Sequence, residues 1–534
     1  MTERKYPIGV QSFRKLRMSN YSYIDKTHYI EPLLKGTAFF LSRPRRFGKS
    51  LFLSTLASYF RGEKELFKGL YIEEAEERMA LADGREPWLE HAVLYIDLNI
   101  RNYDAAEVLI DRLSNNLSKI ERDYHLSETE GAVEERFSRL IETLFLKTGR
   151  KVVVLVDEYD KPLLHSLSNG QKELHEQYRK ILAGFYVVLK SLDEYIRFAF
   201  LTGVTKFSKL SVFSGLNNLE DISLDPTYAG LCGITEAELL ATFSEDIDTL
   251  AQQLGYTRDY LLAFLKSEYD GYCFSTNNVH VYNPFNVLNV FKKGILGSYW
   301  FATGTPTFLV EMLRDRQYDY PSLDKDVMVP LVDLENPHEM IDDPIQVLYQ
   351  AGYLTIKRFD PSRRRFALGF PNNEVRYCFL NLLLRALLPT KVNLTVKETD
   401  LFLDEIEKEN VKGFMTRVHA LLAALPYPTN VSVETVEWTY QSLFYLLFHL
   451  MGQHVRTEEH SILGRADFVL ETATTVYIFE FKLWSAGTPE EAIEQIRKQG
   501  YAEPYRSCGK PVRLIGVSFD TEKRNIGEWK EEAL

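Results

Sequence analysis

Ser42-Arg43-Pro44-Arg45-Arg46-Phe47-Gly48-Lys49-Ser50 lies between a short aromatic and apolar run, Thr37 to Ser42, and a helical pattern from Leu51 to Phe60. A strand, a basic loop and a helix in that order place backbone N–H groups and a helix N-terminus where they can hold polyphosphate. Lys49 would then reach the β and γ phosphates, and the Ser50 hydroxyl would serve Mg²⁺. The pattern GxxxxGK[ST] departs at its first position, where Arg43 stands in place of glycine. Outward from the loop the same grammar recurs. Val93 to Leu98, Val152 to Val156 and Phe198 to Thr202 read as strands, and Ala105 to Ile120, Val133 to Leu146 and Glu173 to Leu192 read as helices. Such alternation predicts an α/β unit built on a parallel sheet covered on both faces.

The β-branched strand ending in Asp157 and Glu158 supplies the loop's chemical partner. Asp157 would hold the Mg²⁺ shell and Glu158 would polarise a water. An acid pair opening a helix is also favoured as an N-cap with a first-turn charge. Arg43, Arg45 and Arg46 admit three readings: planar contacts to phosphate, the lining of a route for nucleic acid or a neighbouring subunit, or a loop kept solvated by its charge.

The chain has 534 residues and a net charge of −12, an ordinary globular composition that excludes disorder and collagen-like repeats. The acidity argues against a protein that coats nucleic acid with its whole surface and leaves a local basic channel open. Cys232, Cys273, Cys378 and Cys508 are scattered, so neither a zinc ribbon nor a disulfide framework is expected. No stretch has the length and apolarity of a signal peptide or a bilayer span, which predicts a cytoplasmic protein with no membrane partner. No HExxH or GxSxG pattern occurs, and hydride-transfer and serine-hydrolase readings have no support.

Four regions are expected. Residues 1–230 form the phosphate-loop domain, and 231–390 form a mainly helical lid or winged-helix-like region in which Val347 to Ile356 turns from helix to strand. Residues 391–430 form a helical connector, and 431–534 follow an α-β-β-β-α-β order. In the last region Asp467-Phe468-Val469-Leu470 and Val476 to Lys482 read as a hairpin turning at Ala473 and Thr474. Symmetric pairing about that turn sets Asp467 opposite Glu480 on one face. Strand alternation adds Lys482 to the same face and sends Phe479 and Phe481 to the other. Two hard oxygen ligands suit Mg²⁺, with Mn²⁺ as a substitute, and the ammonium can orient a water or neutralise developing charge. A surface ion-pair ladder is the plainer alternative. Glu459 and Glu437 are candidates to complete the coordination.

Four motifs, in order, carry a resemblance: Tyr23-Ile24-Asp25-Lys26-Thr27, the loop Arg43 to Ser50, Asp157-Glu158-Tyr159-Asp160, and Thr202-Gly203-Val204-Thr205-Lys206-Phe207-Ser208. They look like the bacterial AAA-ATPase-like family, in which the arginine-rich form of the loop is usual. The resemblance implies an additional-strand P-loop NTPase sheet with ATP as ligand, contacted by Arg45, Arg46, Phe47, Gly48, Lys49 and Ser50. It implies that Thr202 takes a polar sensor position between the two acid-bearing strands. It also implies that Asp25 and Lys26 lie near the base or ribose, with a surface salt bridge as the alternative.

Asp467, Glu480 and Lys482 resemble the PD-(D/E)xK nuclease superfamily. Gln495 and Tyr501 are similar to the Gln and Tyr that follow the catalytic lysine in RecB-like members, at a longer spacing, and would contact phosphate. The two resemblances together imply an ATP-binding and hydrolysing protein coupled to a Mg²⁺-dependent nuclease, with DNA expected ahead of RNA as substrate and a role in defence against foreign DNA. P-loop proteins of this broad kind often assemble, so a homo-oligomer is an expected state. The competing reading is a nucleotide-operated sensor or assembly switch whose C-terminal domain binds nucleic acid or a partner without cutting.

Overall fold

The parallel sheet expected from the alternating pattern is present in the computed structural model. The structure describes residues 4–534 apart from 101, 169, 207–211, 214–215, 217, 302–306, 336–342, 389–395, 424–432, 452–454, 458–459, 462–463, 466–467, 484–486 and 521–524. Strands β1 (Ala38–Ser42), β2 (Val93–Asp97), β3 (Val152–Asp157), β4 (Ile196–Gly203) and β5 (Glu220–Asp221) pair in the order β2-β3-β4-β1-β5, all parallel. Every residue of β1 and β3 is buried, as strands sandwiched between helix layers require. Helices α1 (Lys49–Phe60), α2 (Ala106–Asp123), α3 (Val133–Thr148) and α4 (Lys172–Ser191) supply the connections. Parallel pairing brings the loop after β1 and the acids after β3 to the same carboxyl edge, where ligands of such sheets bind. One detail differs from expectation. The Thr202 strand β4 lies between the loop-bearing β1 and the acid-bearing β3, not between two acid-bearing strands.

The chain divides into two compact units, Met1–Leu309 with Asp326–Val375, and Val310–Lys325 with Arg376–Leu534. The first unit continues past the parallel sheet with α5 (Glu236–Leu254), α6 (Arg258–Tyr269) and α7 (Pro284–Lys293). These pack around Leu239, Phe243, Ile247, Leu261, Leu265 and Val287. Helix α8 (Pro344–Ala351) turns at Gly352 and leads into an antiparallel sheet of β6 (Val327–Pro330), β7 (Thr355–Asp360) and β8 (Arg365–Gly369), ordered β6-β8-β7. Val347 to Ile356 is therefore a helix passing into a strand.

In the second unit α9 (Val396–Glu407), α10 (Val411–Ala423) and α11 (Val433–Met451) precede a mixed sheet. Its strands are β9 (Val455–Thr457), β10 (Phe468–Glu471), β11 (Val476–Leu483), β12 (Val512–Asp520) and β13 (Asn525–Ala533), paired in chain order. Only β11 and β12 run parallel, joined by α12 (Pro489–Lys498). Alternation divides the faces of β11. Ile478 packs with Ile493 and Ile496 of α12, while Phe479 and Phe481 meet the aromatic rings of Phe414, Phe444 and Phe448. The expected α-β-β-β-α-β order is extended by β13, an edge strand whose Glu528-Trp529-Lys530-Glu531-Glu532 carries the charges that keep edges from pairing with other chains. Among the described residues no helix is long and apolar enough to cross a membrane.

Candidate active sites

Between β1 and α1 the loop takes left-handed backbone at Arg46 (φ 70°) and Gly48 (φ 100°), and Gly48 opens the helix. A Cβ on Gly48 would meet nothing within 4 Å, so glycine is required there by backbone conformation and not by space. Lys49 is buried and folds back on its own loop, donating to the carbonyls of Arg43 (3.0 Å) and Pro44 (3.2 Å). Its partners are acceptors that an incoming phosphate would replace.

Arg43 does not belong to the exposed basic surface. Its guanidinium is buried, donates to the carbonyls of Ser42 (2.9 Å), Ser223 (2.7 Å) and Tyr228 (3.4 Å), and lies 4.5 Å from the centre of the Phe274 ring. With both terminal guanidinium nitrogens engaged inward, and Nε buried without a partner among the described residues, it braces the loop base and is turned away from the exposed surface. Arg45 and Arg46 are exposed, and Arg46 sits 4.2 Å over Phe285. Phe47 is buried edge-on against Tyr272 and Phe274. The Trp300 indole N–H donates to the Arg45 carbonyl at 3.0 Å. The backbone of Gly352 abuts Pro44, where a Cβ would lie 2.7 Å from the proline ring. Behind Trp300, its own amide donates to Asn286 (2.7 Å), and the Asn286 side-chain amide donates to buried Glu374, whose pKa burial pushes up to about 7.

Asp157 ends β3 at the open edge. One oxygen accepts from the Tyr95 hydroxyl (3.3 Å), Ser50 lies near enough to pull the carboxylate's pKa down, and the other oxygen, Oδ1, is buried without a hydrogen-bond partner among the described residues. Burial and then the charge of Glu158 push Asp157 up to about 6, against the pull of Ser50 and Lys49. A partnerless buried oxygen beside a serine hydroxyl fits a hard cation that takes its remaining ligands from phosphate and water. Glu158 has left-handed backbone (φ 54°) and no side-chain hydrogen bond among the described residues. Thr202 is fully buried and its hydroxyl donates to the Leu41 carbonyl (2.9 Å).

A cavity of about 100 Å³ adjoins the loop, lined by Tyr23, Ile24, Phe47, Gly48, Leu51 and Leu288 among others. Asp25 is directed elsewhere. Its carboxylate accepts from the amide (2.8 Å) and hydroxyl (2.6 Å) of Thr27 and from the Tyr71 amide (2.7 Å), which makes it a local cap. Lys26 lines this cavity, forms a part-buried ion pair with both oxygens of Glu238 (2.6 and 2.7 Å) and donates to the Gly230 carbonyl (2.7 Å). Among the loop's braces, Trp300, Asn286, Gly352 and Glu374 carry no motif in the sequence, and neither does Tyr95. Tyr95 is two residues before the end of β2, a parity that sets it on the face of Asp97, and that was the available signal.

The second constellation stands on β11. The pairs Phe468↔Phe479, Val469↔Ile478, Leu470↔Tyr477 and Glu471↔Val476 follow the register expected from the turn. Described pairing ends one step short of Asp467, which lies outside the described residues, as does Glu459; the side chain of Glu437 does too. Glu480 is buried, and the Lys482 ammonium is 3.9 Å from its Oε1. Gln495 of α12 bridges them, its amide nitrogen donating to Glu480 and its oxygen accepting from Lys482. The bridge depends on Gly516, the β12 partner of Glu480: a Cβ there would collide with the Pro489 carbonyl group, whose carbon would be 2.9 Å away. Without a side chain at that position α12 settles low enough for Gln495 to span both charges. Tyr501 is instead buried in the apolar cluster under α12 with Ile493 and Ile496.

Residues 7–213 match the family model described as predicted AAA-ATPase, and residues 435–529 match that of the PD-(D/E)XK nuclease superfamily. A protein of Azotobacter chroococcum mcd 1, named as the uncharacterized protein in the vnfD 5' region, is 37% identical over 542 residues, covering 100% of both chains.

Proposed function

Because the chain belongs to the AAA-ATPase-like proteins that carry a C-terminal PD-(D/E)XK nuclease-superfamily domain, we propose that it is an ATP-controlled, Mg²⁺-dependent nuclease. The observation that carries the nucleotide half is the buried Asp157 oxygen that has no hydrogen-bond partner among the described residues, set near Ser50 and a lysine that donates to loop carbonyls. ATP would lay its phosphates over Gly48 and the α1 N-terminus, its base in the adjoining apolar cavity, and Lys49 would exchange the carbonyls of Arg43 and Pro44 for phosphate oxygens. Mg²⁺, held by Ser50 and Asp157, would neutralise charge on the β and γ phosphates. Water then adds to the terminal phosphorus as its bond to the β-phosphate oxygen breaks, giving ADP and inorganic phosphate, with Glu158 taking the water's proton. Arg45 and Arg46 are exposed beside that path and would meet anionic ligand.

In the second unit Glu480 and Asp467 would hold Mg²⁺ or Mn²⁺, which stabilises a phosphodiester transition state and supplies a nucleophilic water. Gln495 fixes the Glu480 carboxylate and the Lys482 ammonium relative to each other, so that Lys482 is aimed at the developing charge. The substrate is nucleic acid, DNA ahead of RNA, and the setting is cytoplasmic defence against foreign DNA by a protein that assembles with its own copies. Cleavage of circular and linear, single- and double-stranded DNA with Mg²⁺ or Mn²⁺, with and without ATP, tests this. Metal-dependent cutting that responds to ATP is the expected result. Tight ATP binding with negligible turnover and no cutting would replace it with a nucleotide-operated switch, a reading favoured by the Thr202 hydroxyl being spent on Leu41.

A further inference from the structure

Residues 159 and 160 close on the turn after β4 through bonds that the hydrolytic scheme leaves unexplained. The Tyr159 amide donates to the Thr202 carbonyl (3.1 Å) and its hydroxyl to the Thr205 carbonyl (2.8 Å). Asp160 is fully buried, and one of its oxygens accepts from the amides of Val204 (3.0 Å) and Thr205 (2.6 Å) and from the Thr205 hydroxyl (2.5 Å). Gly203 makes the approach possible, since a Cβ there would lie 2.7 Å from the Tyr159 ring and closer still to the Asp160 carboxylate. A buried carboxylate is costly without such donors.

The cost falls beside a second oddity. Glu158 sits between β3 and this clamp with φ 54°, a conformation that a residue with a Cβ rarely adopts, and its carbonyl accepts from Lys161 at 3.0 Å. Strained residues persist where their surroundings over-determine them, and they gather at sites where the strain serves a purpose. Here β3 fixes one side of Glu158, and the bonds of Tyr159 and Asp160 fix the other. The Glu158 carboxylate is partly exposed and close enough to act electrostatically on both Asp157 and Asp160.

We propose that Asp160 is a positioning residue for ATP hydrolysis, which rests on the nucleotide reading above: clamped to Val204 and Thr205, it holds Glu158 in its left-handed turn so that the Glu158 carboxylate meets the attacking water. The water oxygen bonds the terminal phosphorus, the bond to the β-phosphate oxygen breaks, and ADP departs. The water's proton passes to Glu158 and from there to solvent.

ATP affinity and Mg²⁺-dependent turnover of the full chain test this in wild type, Asp160→Ala, Asp160→Asn, Thr205→Val, Glu158→Gln and Glu158→Gln with Asp160→Ala. Asp160→Ala should lower turnover about 100-fold with the ATP dissociation constant changed less than about three-fold. Asp160→Asn, which keeps an acceptor for the two amides, and Thr205→Val should each lose about ten-fold. A group acting only through Glu158 has nothing left to lose once Glu158 is gone, so Asp160→Ala should change turnover less than about two-fold in the Glu158→Gln background. A merely structural role would lower turnover further there, and that result overturns the assignment, as does wild-type turnover in Asp160→Ala. If Asp160→Ala does not fold, Asp160→Asn in both backgrounds decides by the same criterion. A wild type that binds no ATP sinks the nucleotide reading itself, whereas binding without turnover overturns the role of Asp160 alone.

Discussion

Each unit of the molecule sets a lysine against buried carboxylate, and the two are assembled differently. In the first, Lys49 opens a helix while Asp157 ends a strand far along the chain, and only the parallel order β3-β4-β1 brings them to one edge. In the second, Glu480 and Lys482 are two residues apart on β11, and a single side chain from α12, Gln495, joins them. The first site is held by backbone: loop carbonyls occupy Lys49, and Arg43, Phe47 and Trp300 fix the loop from beneath and beside. The second is held by side chains on a rigid strand.

The largest effect should come from the side-chain site. Lys482→Ala should lower metal-dependent DNA cleavage by ~10³-fold while leaving ATP affinity and the unfolding midpoint near wild type, because a transition-state charge partner is lost from a partly exposed position. Cleavage at wild-type rate would remove Lys482 from the chemistry. Next, and opposite in kind, Arg43→Gly restores the residue that the GxxxxGK[ST] pattern asks for and should nonetheless destabilise the first unit by about 3 kcal/mol, since the carbonyls of Ser42, Ser223 and Tyr228 lose a charged donor. Urea unfolding measures it. An unchanged midpoint would show that the loop is not braced through Arg43.

Glu374 gives the scaffold a pH signature. Its folded pKa of about 7 lies above its ordinary value of 4.5, so the folded state keeps a proton that the unfolded chain releases. Stability from this group is therefore full below about pH 4.5 and falls as pH rises to about 7, by up to ~3 kcal/mol, then levels. Glu374→Gln removes that slope. The melting temperature of the variant relative to wild type should rise between pH 5 and pH 8, and a difference that stays constant across that range would assign the slope elsewhere.

What the sequence made legible follows the same division. The parallel strands, the hairpin register and the opposite facing of Glu480 and Phe479 are consequences of local period and turn symmetry, which a linear pattern contains. The partners were hidden. That Arg43 turns inward depends on carbonyls of Ser223 and Tyr228, and that Asp25 caps Tyr71 depends on a helix start elsewhere, neither being encoded near those residues. Gln495 could be nominated, but its placement relies on the absent side chain of Gly516. Strand β13 escaped because edge charges mask its alternation.

The smallest effect should come from Thr202. A hydroxyl that senses the terminal phosphate and a hydroxyl that ties β4 to β1 are the same atom in sequence, and the Leu41 carbonyl at 2.9 Å distinguishes them. Thr202→Val keeps the shape and removes one buried neutral bond, leaving the Leu41 carbonyl with its strand partner across β4. It should cost about 1 kcal/mol in unfolding free energy and change ATP turnover by less than about two-fold. A ten-fold loss of turnover with little loss of stability would mean that β4 shifts when nucleotide binds, releasing the hydroxyl toward phosphate, and the backbone-built site would then be less rigid than its bracing implies.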